Sequence, residues 1–142
     1  MNNVILISVK GKYVREMLSG HKTIELRKSA PKASAGDTLI IYTTQPTKAV
    51  TAIAIVKRII TCDPEQMWLQ HQDKLGISKE EFDAYYKNKY KAVGIEMTKV
   101  IALNDEILLS AIKLIHPDFS PPQTFKYLNK FTTLRDFKHL TT

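Results

Sequence analysis

The chain has 142 residues, of which 44% are hydrophobic and 25% charged, as expected of one globular domain with its own core. It has a single cysteine, Cys62, which excludes an intramolecular disulfide framework. No apolar run approaches the roughly 20 residues that span a bilayer, and no secretory signal pattern is present. We therefore expect a soluble cytoplasmic protein, without membrane partners, that forms one domain over residues 1–142.

The positive charge is concentrated in one part of the chain. Residues 1–60 contain ten lysines and arginines and three acidic residues, whereas residues 61–142 contain eleven of each, so the first part accounts for the net charge of +7. Such an asymmetry favours an anionic partner, with nucleic acid or a nucleotide first and an acidic membrane surface second. A lysine-rich surface that only maintains solubility explains the charge equally well.

The first 60 residues predict four strands and one helix. A helix over Lys12–Leu18 has apolar residues at helical spacing, and Gly20 follows as its stop signal. Ala49–Ile60 is apolar on both faces, which is typical of a strand in a closed or nearly closed barrel. The predicted strands are Val4–Val9, Lys22–Lys28, Thr38–Thr43 and Ala49–Ile60.

The second part of the chain predicts two helices and then further strands. Asp63-Pro64 opens one helix, and the capping box that begins at Ser78 opens the next, so that a helical insert covers residues 63–88. Ala92–Leu103 returns to strand character, and Leu108–Ile115 fits either a strand or a short helix. Residues 118–142 predict an extended proline-rich strap and a short helix over Asn129–Leu140. This order predicts an α+β fold around a mainly antiparallel β-barrel with flanking short helices.

The segment Gly20–Lys28 is the strongest candidate for a functional site. On a strand, Glu25 and Arg27 lie on one face, about 6.6 Å apart at roughly 3.3 Å rise per residue, while Ile24 and Leu26 anchor the other face. Lys22 enters this surface from the end of the strand. Lysine and arginine side chains can bind a phosphate group, and a glutamate can accept hydrogen bonds from a nucleic-acid base or hold the arginine in position. The alternative is an ion pair that only closes the end of the barrel.

Four further residues are candidate ligand contacts. Lys10 ends the first strand and can meet Lys22 at one rim, although an ordinary surface lysine is equally consistent. Tyr42 and Thr44 follow the third strand, where a ring can stack on a base and a hydroxyl can contact an edge or a phosphate. Gln123 presents an amide from the proline-rich strap. Turn chemistry around Pro46 and a purely structural strap are the alternatives.

The segment 85–91 alternates aromatic and basic residues, Tyr-Tyr-Lys-Asn-Lys-Tyr-Lys. Such a pattern suits a track for a single strand of nucleic acid. However, Phe82, Tyr85 and Tyr86 recur at helical spacing, which is more typical of core packing that leaves the lysines as a solvated rim.

These motifs together resemble the ASCH family of the PUA-like superfamily. The matching features are Gly20-x-Lys22-Thr23-x-Glu25-x-Arg27, then Gly36-Asp37 before a strand that ends near Tyr42, the helical insert after Cys62, and Pro-Pro-Gln-x-Phe at 121–125. The resemblance implies a small PUA-like barrel with a cleft between barrel and helices, in a family generally proposed to bind RNA or other nucleic acids. In the branch that resembles amidohydrolases of acetylated cytidine, a threonine nucleophile stands where this chain has Glu25, which argues against that activity.

We therefore expect a protein that binds RNA, or a nucleotide-like ligand, in a basic cleft. The predicted contacts are Lys10, Lys22, Glu25, Arg27, Tyr42, Thr44 and Gln123. The second hypothesis is a small hydrolase of RNA or of a modified nucleoside, with Lys22 and Glu25 as catalytic candidates. A regulatory module with an acidic protein partner is the third. We expect no cofactor and no metal, because the four histidines are scattered without ligand spacing.

Overall fold

The computed structural model describes residues 3–128. Within this range the chain forms six strands and four α-helices. In chain order they are β1 (Val4–Val9), α1 (Gly11–Ser19), β2 (Ile24–Arg27), β3 (Thr38–Thr43), β4 (Ala49–Cys62), α2 (Pro64–His71), α3 (Lys79–Tyr85), β5 (Ala92–Leu108), α4 (Leu109–Ile115) and β6 (Phe125–Tyr127). A short 3₁₀ turn, Gln72–Lys74, follows α2. None of the helices in this range is long and apolar enough to cross a membrane.

The six strands form one curled, half-barrel sheet in the order β2-β5-β4-β3-β1-β6. Every neighbouring pair is antiparallel except β1 and β3, which run parallel. Helix α1, β2 and the loop before β3 supply the long crossover that a parallel pair requires. The sheet confirms the predicted α+β fold with a mainly antiparallel, barrel-like sheet.

Both faces of the central strands are buried. Alternate residues of β1 enter two apolar clusters: Ile5, Ile7 and Val9 lie in the barrel core, while Val4 and Leu6 lie in a cluster on the other face. Period-two geometry sends neighbouring side chains to opposite faces, so a strand covered on both sides must be apolar throughout. The long apolar run that predicted β4 has the same cause.

The helical insert packs against the outer side of β2. Ile24 and Leu26 join an apolar cluster with Met67 and Phe82 from the insert helices. Both helices begin as the capping signals predict, since the carboxylate of Asp63 accepts a 2.8 Å hydrogen bond from the Gln66 N–H and Ser78 caps α3. The insert therefore covers the apolar face of β2, and the opposite face carries the polar residues.

Three details depart from the sequence predictions or complete them. The second strand is shorter than Lys22–Lys28, because Lys22 makes only an isolated bridge with Leu75 before β2 begins. The ambiguous segment Leu108–Ile115 is helical from Leu109 onward, and β5 extends to Leu108 rather than ending at Leu103. The helix predicted over Asn129–Leu140 lies outside the described residues.

Candidate functional site

A cleft of about 240 Å³ lies between β2, the start of α1, the insert and the strap that precedes β6. Its lining includes three charged side chains that are almost fully buried, two tyrosine rings and the residues at the end of β1. The lining residues are Ser8, Val9, Lys10, Tyr13, Lys22, Glu25, Leu26, Arg27, Ile77, Tyr85 and Gln123.

The alternation of β2 explains why carboxylate and guanidinium share this cleft. Glu25 is opposite Ile95 of the barrel core, whereas Ile24 and Leu26 pack on the insert. Directly opposed residues of an antiparallel pair share a face, so Glu25 points toward the interior of the half-barrel. The predicted division of β2 into a polar and an apolar face is confirmed.

Lys22 is only 2% exposed and lies at the centre of the cleft. Its Nζ donates a 2.6 Å hydrogen bond to the carbonyl of Leu75, lies 3.6 Å from Oε1 of Glu25, and is 5.0 Å from the centroid of the Tyr13 ring. The bridge to Leu75 places Lys22 before the regular strand, so its side chain escapes the alternation that would have sent it to the insert face. Sequence periodicity alone does not predict this geometry.

Gly76 makes room for Lys22. A Cβ on Gly76 would lie 2.6 Å from the Cβ of Lys22, and the backbone of Gly76 adopts a left-handed φ of +57°. Both conditions favour glycine. Gly76 therefore sets how closely the insert approaches Lys22.

Burial is the main cause that lowers the pKa of Lys22 below its ordinary value of 10.5. The carboxylate of Glu25 acts in the opposite direction, and the nearby guanidinium of Arg27 lowers the pKa further. A lysine held in this way loses its proton more readily than an exposed lysine does. Titratable groups with a shifted pKa in a cleft are often found at catalytic sites.

Arg27 connects the two edges of the curled sheet. Its Nη2 donates to the carbonyl of Ser8 at 2.7 Å and to Oε2 of Glu25 at 2.8 Å, while Nη1 donates to the carbonyl of Thr124 at 3.0 Å. Its buried Nε–H makes no hydrogen bond within residues 3–128. Arg27 thus orients one oxygen of Glu25, and the second oxygen remains directed at Lys22.

The structure brings together five of the seven predicted contacts. Lys10 and Gln123 line the cleft beside the three charged residues, as expected for contacts at its rim. Tyr42 is 4% exposed and lies in the apolar cluster on the opposite face of the sheet, and Thr44 is likewise not among the lining residues. The backbone N–H of Thr44 donates to the carbonyl of Val9, so this segment supports the end of β1 from outside the cleft lining.

Two tyrosines in the cleft were not predicted as site residues. Tyr13 projects from α1, and its hydroxyl donates a 2.8 Å hydrogen bond to Glu81 of α3, which also binds Lys12. Burial and the adjacent Glu81 raise the pKa of Tyr13, so it stays protonated. Tyr85 is half-buried at the end of α3. Both residues occupy helical positions that the sequence pattern assigns to packing, and only the tertiary fold brings them into the lining of the cleft.

Comparison with known proteins places the chain among relatives of the same fold. The sequence profile of the ASCH domain matches residues 7–101. The ASCH domain-containing ribonuclease of Zymomonas mobilis subsp. mobilis is 27% identical over 128 residues, which are 90% of this chain and 86% of that protein.

Solved structures agree with this relationship. The crystal structure of ASCH from Zymomonas mobilis superposes with a TM-score of 0.88 at 25% identity, covering 95% of this chain and 94% of that one. A protein of Pseudomonas putida shares only the fold, with a TM-score of 0.59 at 12% identity over 98% of this chain and 99% of its own. The profile match covers more than half of the chain, and the chain belongs to the ASCH domain family.

Proposed function

We propose that this protein is a ribonuclease of single-stranded RNA and that the cleft around Lys22, Glu25 and Arg27 is its active site. The observation that carries the proposal is the Lys22–Glu25 pair, in which a buried ammonium lies 3.6 Å from a carboxylate oxygen at the base of an open cleft. The relationship to the ribonuclease of Zymomonas mobilis supports RNA as the substrate class.

Burial favours proton transfer over simple electrostatic binding at this pair. Lys22 is 2% exposed and has a lowered pKa, so its ammonium form is less stable than that of a solvated lysine. General acid–base catalysis is most effective when the pKa of the group lies near the working pH, which is the direction of this shift. The same burial destabilises the ammonium, so the fold retains a group that is unfavourable for stability alone.

The proposed reaction transfers the phosphoryl group to the ribose of the same nucleotide. Glu25 accepts the proton of the 2′-hydroxyl through Oε1, and the 2′-oxygen attacks phosphorus. Lys22 donates a proton to the 5′-oxygen as the P–O5′ bond breaks, which yields a 2′,3′-cyclic phosphate and a 5′-hydroxyl end. Each proton transfer contributes about 10²- to 10⁴-fold to the rate.

The remaining residues of the cleft orient the substrate. Arg27 holds Oε2 of Glu25, so that Oε1, which lies 3.6 Å from the Nζ of Lys22, is the oxygen that would accept the proton of the 2′-hydroxyl. The ring of Tyr85 offers a face on which a base can stack, and Lys10 and Gln123 lie at the rim, where a phosphate or a base edge can be contacted. Tyr42 and Thr44 have no part in this proposal, because they are not among the lining residues of the cleft.

The decisive experiment compares three labelled oligonucleotides of one sequence and about 12 nucleotides: RNA, DNA and 2′-O-methyl RNA. We expect the protein to cleave the RNA to 2′,3′-cyclic phosphate ends, and to bind the 2′-O-methyl RNA in an anisotropy titration without cleaving it. DNA stays intact because it has no 2′-hydroxyl. Cleavage of the 2′-O-methyl RNA would exclude the proposed nucleophile.

A protein that binds RNA without cleaving it is the second candidate. Arg27 donates hydrogen bonds to Glu25 and to two backbone carbonyls, and this observation favours the second candidate. A Glu25 carboxylate held in this way closes the half-barrel and need not act as a base. In that case all RNA stays intact and its binding depends on Lys22 and Arg27. No RNA binding at all would contradict both candidates.

A further inference from the structure

The turn that follows α3, residues 87–91, carries an unusual surface. Lys87, Lys89 and Lys91 are exposed, and Tyr90 is 92% exposed. None of these three lysines makes an ion pair within residues 3–128, although Asp83 lies close by and pairs instead with Lys79. This cationic turn, as we call residues 87–91, was one of the two interpretations of the aromatic and basic segment in the sequence.

The structure divides that segment into two parts. Tyr86 is buried, and its hydroxyl donates a 2.8 Å hydrogen bond to the carbonyl of Arg27, so it belongs to the packing. Tyr90 points away from every apolar cluster of the described residues. A ring exposed to this extent does not contribute to the core, so packing explains Tyr86 and leaves Tyr90 unexplained.

The cationic turn lies in the chain between Tyr85 of the cleft and β5, the strand that pairs with β2. Tyr85 lines the cleft, and the Nζ of Lys28 lies 4.5 Å from the centroid of its ring. Arg27 pairs with Val93 at the end of the β2–β5 ladder, so that the chain leaves β2 at Lys28 just where the turn enters β5. The end of β2, which carries Lys28 over the ring of Tyr85, and the end of the cationic turn therefore meet at the same end of this ladder.

The turn is also held in a defined shape. The Lys89 N–H donates a 2.9 Å hydrogen bond to the carbonyl of Tyr86, and Asn88 adopts a left-handed φ of 60°. Asparagine tolerates this conformation better than most residues. The anchored backbone presents the exposed ring and the lysines without the ordering cost of a free loop.

We infer that the cationic turn is an extended binding site for nucleotides that flank the one in the cleft, with Tyr90 as a stacking platform and the three lysines as phosphate contacts. This inference rests on the proposed action on RNA and extends it to a substrate of several nucleotides. Aromatic rings interleaved with cations suit a single strand, because every base has a face that can stack and the backbone is anionic.

The test uses 2′-O-methyl RNA of two lengths, about 3 and about 12 nucleotides, in binding titrations across a salt series. The variants are Tyr90→Ala and the triple change Lys87→Gln, Lys89→Gln and Lys91→Gln. The matched control changes three exposed lysines elsewhere, Lys57→Gln, Lys99→Gln and Lys113→Gln, which removes the same charge.

We expect Tyr90→Ala to weaken binding of the longer RNA by about 5- to 10-fold and leave the short RNA unaffected. The triple variant should lower the salt slope for the longer RNA by about 2, at about 0.7 per lost contact, and the control triple should lower it less. Equal affinity of the wild-type protein for both lengths overturns the inference, as does unchanged binding of the longer RNA by both variants. Binding of the longer RNA that neither variant of the turn changes leaves the ribonuclease proposal standing, whereas no RNA binding overturns both.

Discussion

Two buried carboxylates on neighbouring strands each lie beside one lysine and one arginine, but the cations of one cluster are buried and those of the other are exposed. Glu25 of β2 lies beside one lysine and one arginine, Lys22 and Arg27, and Glu96 of β5 lies beside Lys74 and Arg58. The two carboxylates are themselves buried to a similar degree, at 6% and 3% exposure. Their cations differ: those of Glu25 are buried, whereas the side chains of Arg58 and Lys74 are 56% and 44% exposed.

Because the cations differ in exposure, the charged form is destabilised in one cluster and stabilised in the other. At the cleft, burial of Lys22 dominates and lowers the pKa of the lysine. At the second cluster, burial would raise the pKa of Glu96, but the hydrogen bond from Arg58 and the nearby cations outweigh it and the pKa is lowered. Solvated cations stabilise a buried carboxylate, so the Glu96 cluster links the 3₁₀ turn to the sheet. In the Glu25 cluster the cations are themselves buried, and Lys22 has a lowered pKa.

The largest effect should come from removing the two lysines in turn. If the proposed mechanism holds, we expect Lys22→Met to slow RNA cleavage by about 100-fold or more, because it removes the proposed general acid, and Lys74→Met to change the rate by less than about 2-fold. Initial rates with labelled RNA measure both, and circular dichroism checks that each variant is folded. Similar rates for the two variants would remove the functional distinction between the clusters.

The pH dependence of stability should distinguish the same two lysines. Between the lowered pKa of folded Lys22 and the ordinary value of 10.5, the unfolded chain holds a proton that the folded chain has released. Stability therefore rises with pH over this interval, and the penalty of the buried charge is complete below it. In thermal melts, the melting temperature of the wild-type protein should rise relative to that of Lys22→Met as the pH rises toward 10.5. A constant difference would mean that the pKa of Lys22 is not lowered.

A smaller effect on stability is expected at the second cluster. Glu96→Gln should lower the free energy of unfolding by roughly 0.5–1 kcal/mol, discounted because both cations are solvated, and should leave RNA cleavage unchanged. The lowered pKa of Glu96 means that its contribution is present above the ordinary value of 4.5 and is lost as the pH falls through the folded value. Urea unfolding of the wild-type protein and of Glu96→Gln at neutral and acidic pH measures this difference in free energy. A difference that stays the same at acidic pH would contradict this account.

The smallest effect should be seen at the rim of the cleft. Gln123 is exposed and lines the cleft from the strap. We expect Gln123→Ala to raise KM by about 2- to 5-fold without changing kcat, since it removes one hydrogen bond to the substrate that is made equally in the ground and transition states. Steady-state kinetics with a short RNA separate the two constants. A fall in kcat would instead place Gln123 among the groups that act in the transition state.

Local patterns in the sequence predicted most of the fold. The apolar runs of β1, β3 and β4, the stop at Gly20 and the caps at Asp63 and Ser78 all depend on neighbouring residues, so they can be recognised without tertiary information. Leu108–Ile115 was ambiguous because a short apolar run fits a buried strand and a helix equally well. Its helical state depends on packing against the far face of the sheet.

The sequence by itself also determined the two faces of β2, because strand alternation separates Glu25 and Arg27 from the apolar residues whatever surrounds them. Only the tertiary structure decided that Lys22 lies beside Glu25, since the bridge to Leu75 and the space at Gly76 come from an insert more than 50 residues away. It likewise decided that Tyr42 enters an apolar cluster while Tyr13 and Tyr85 face the cleft. The direction of a ring depends on which element covers its strand or helix, and contacts between distant residues leave no local pattern.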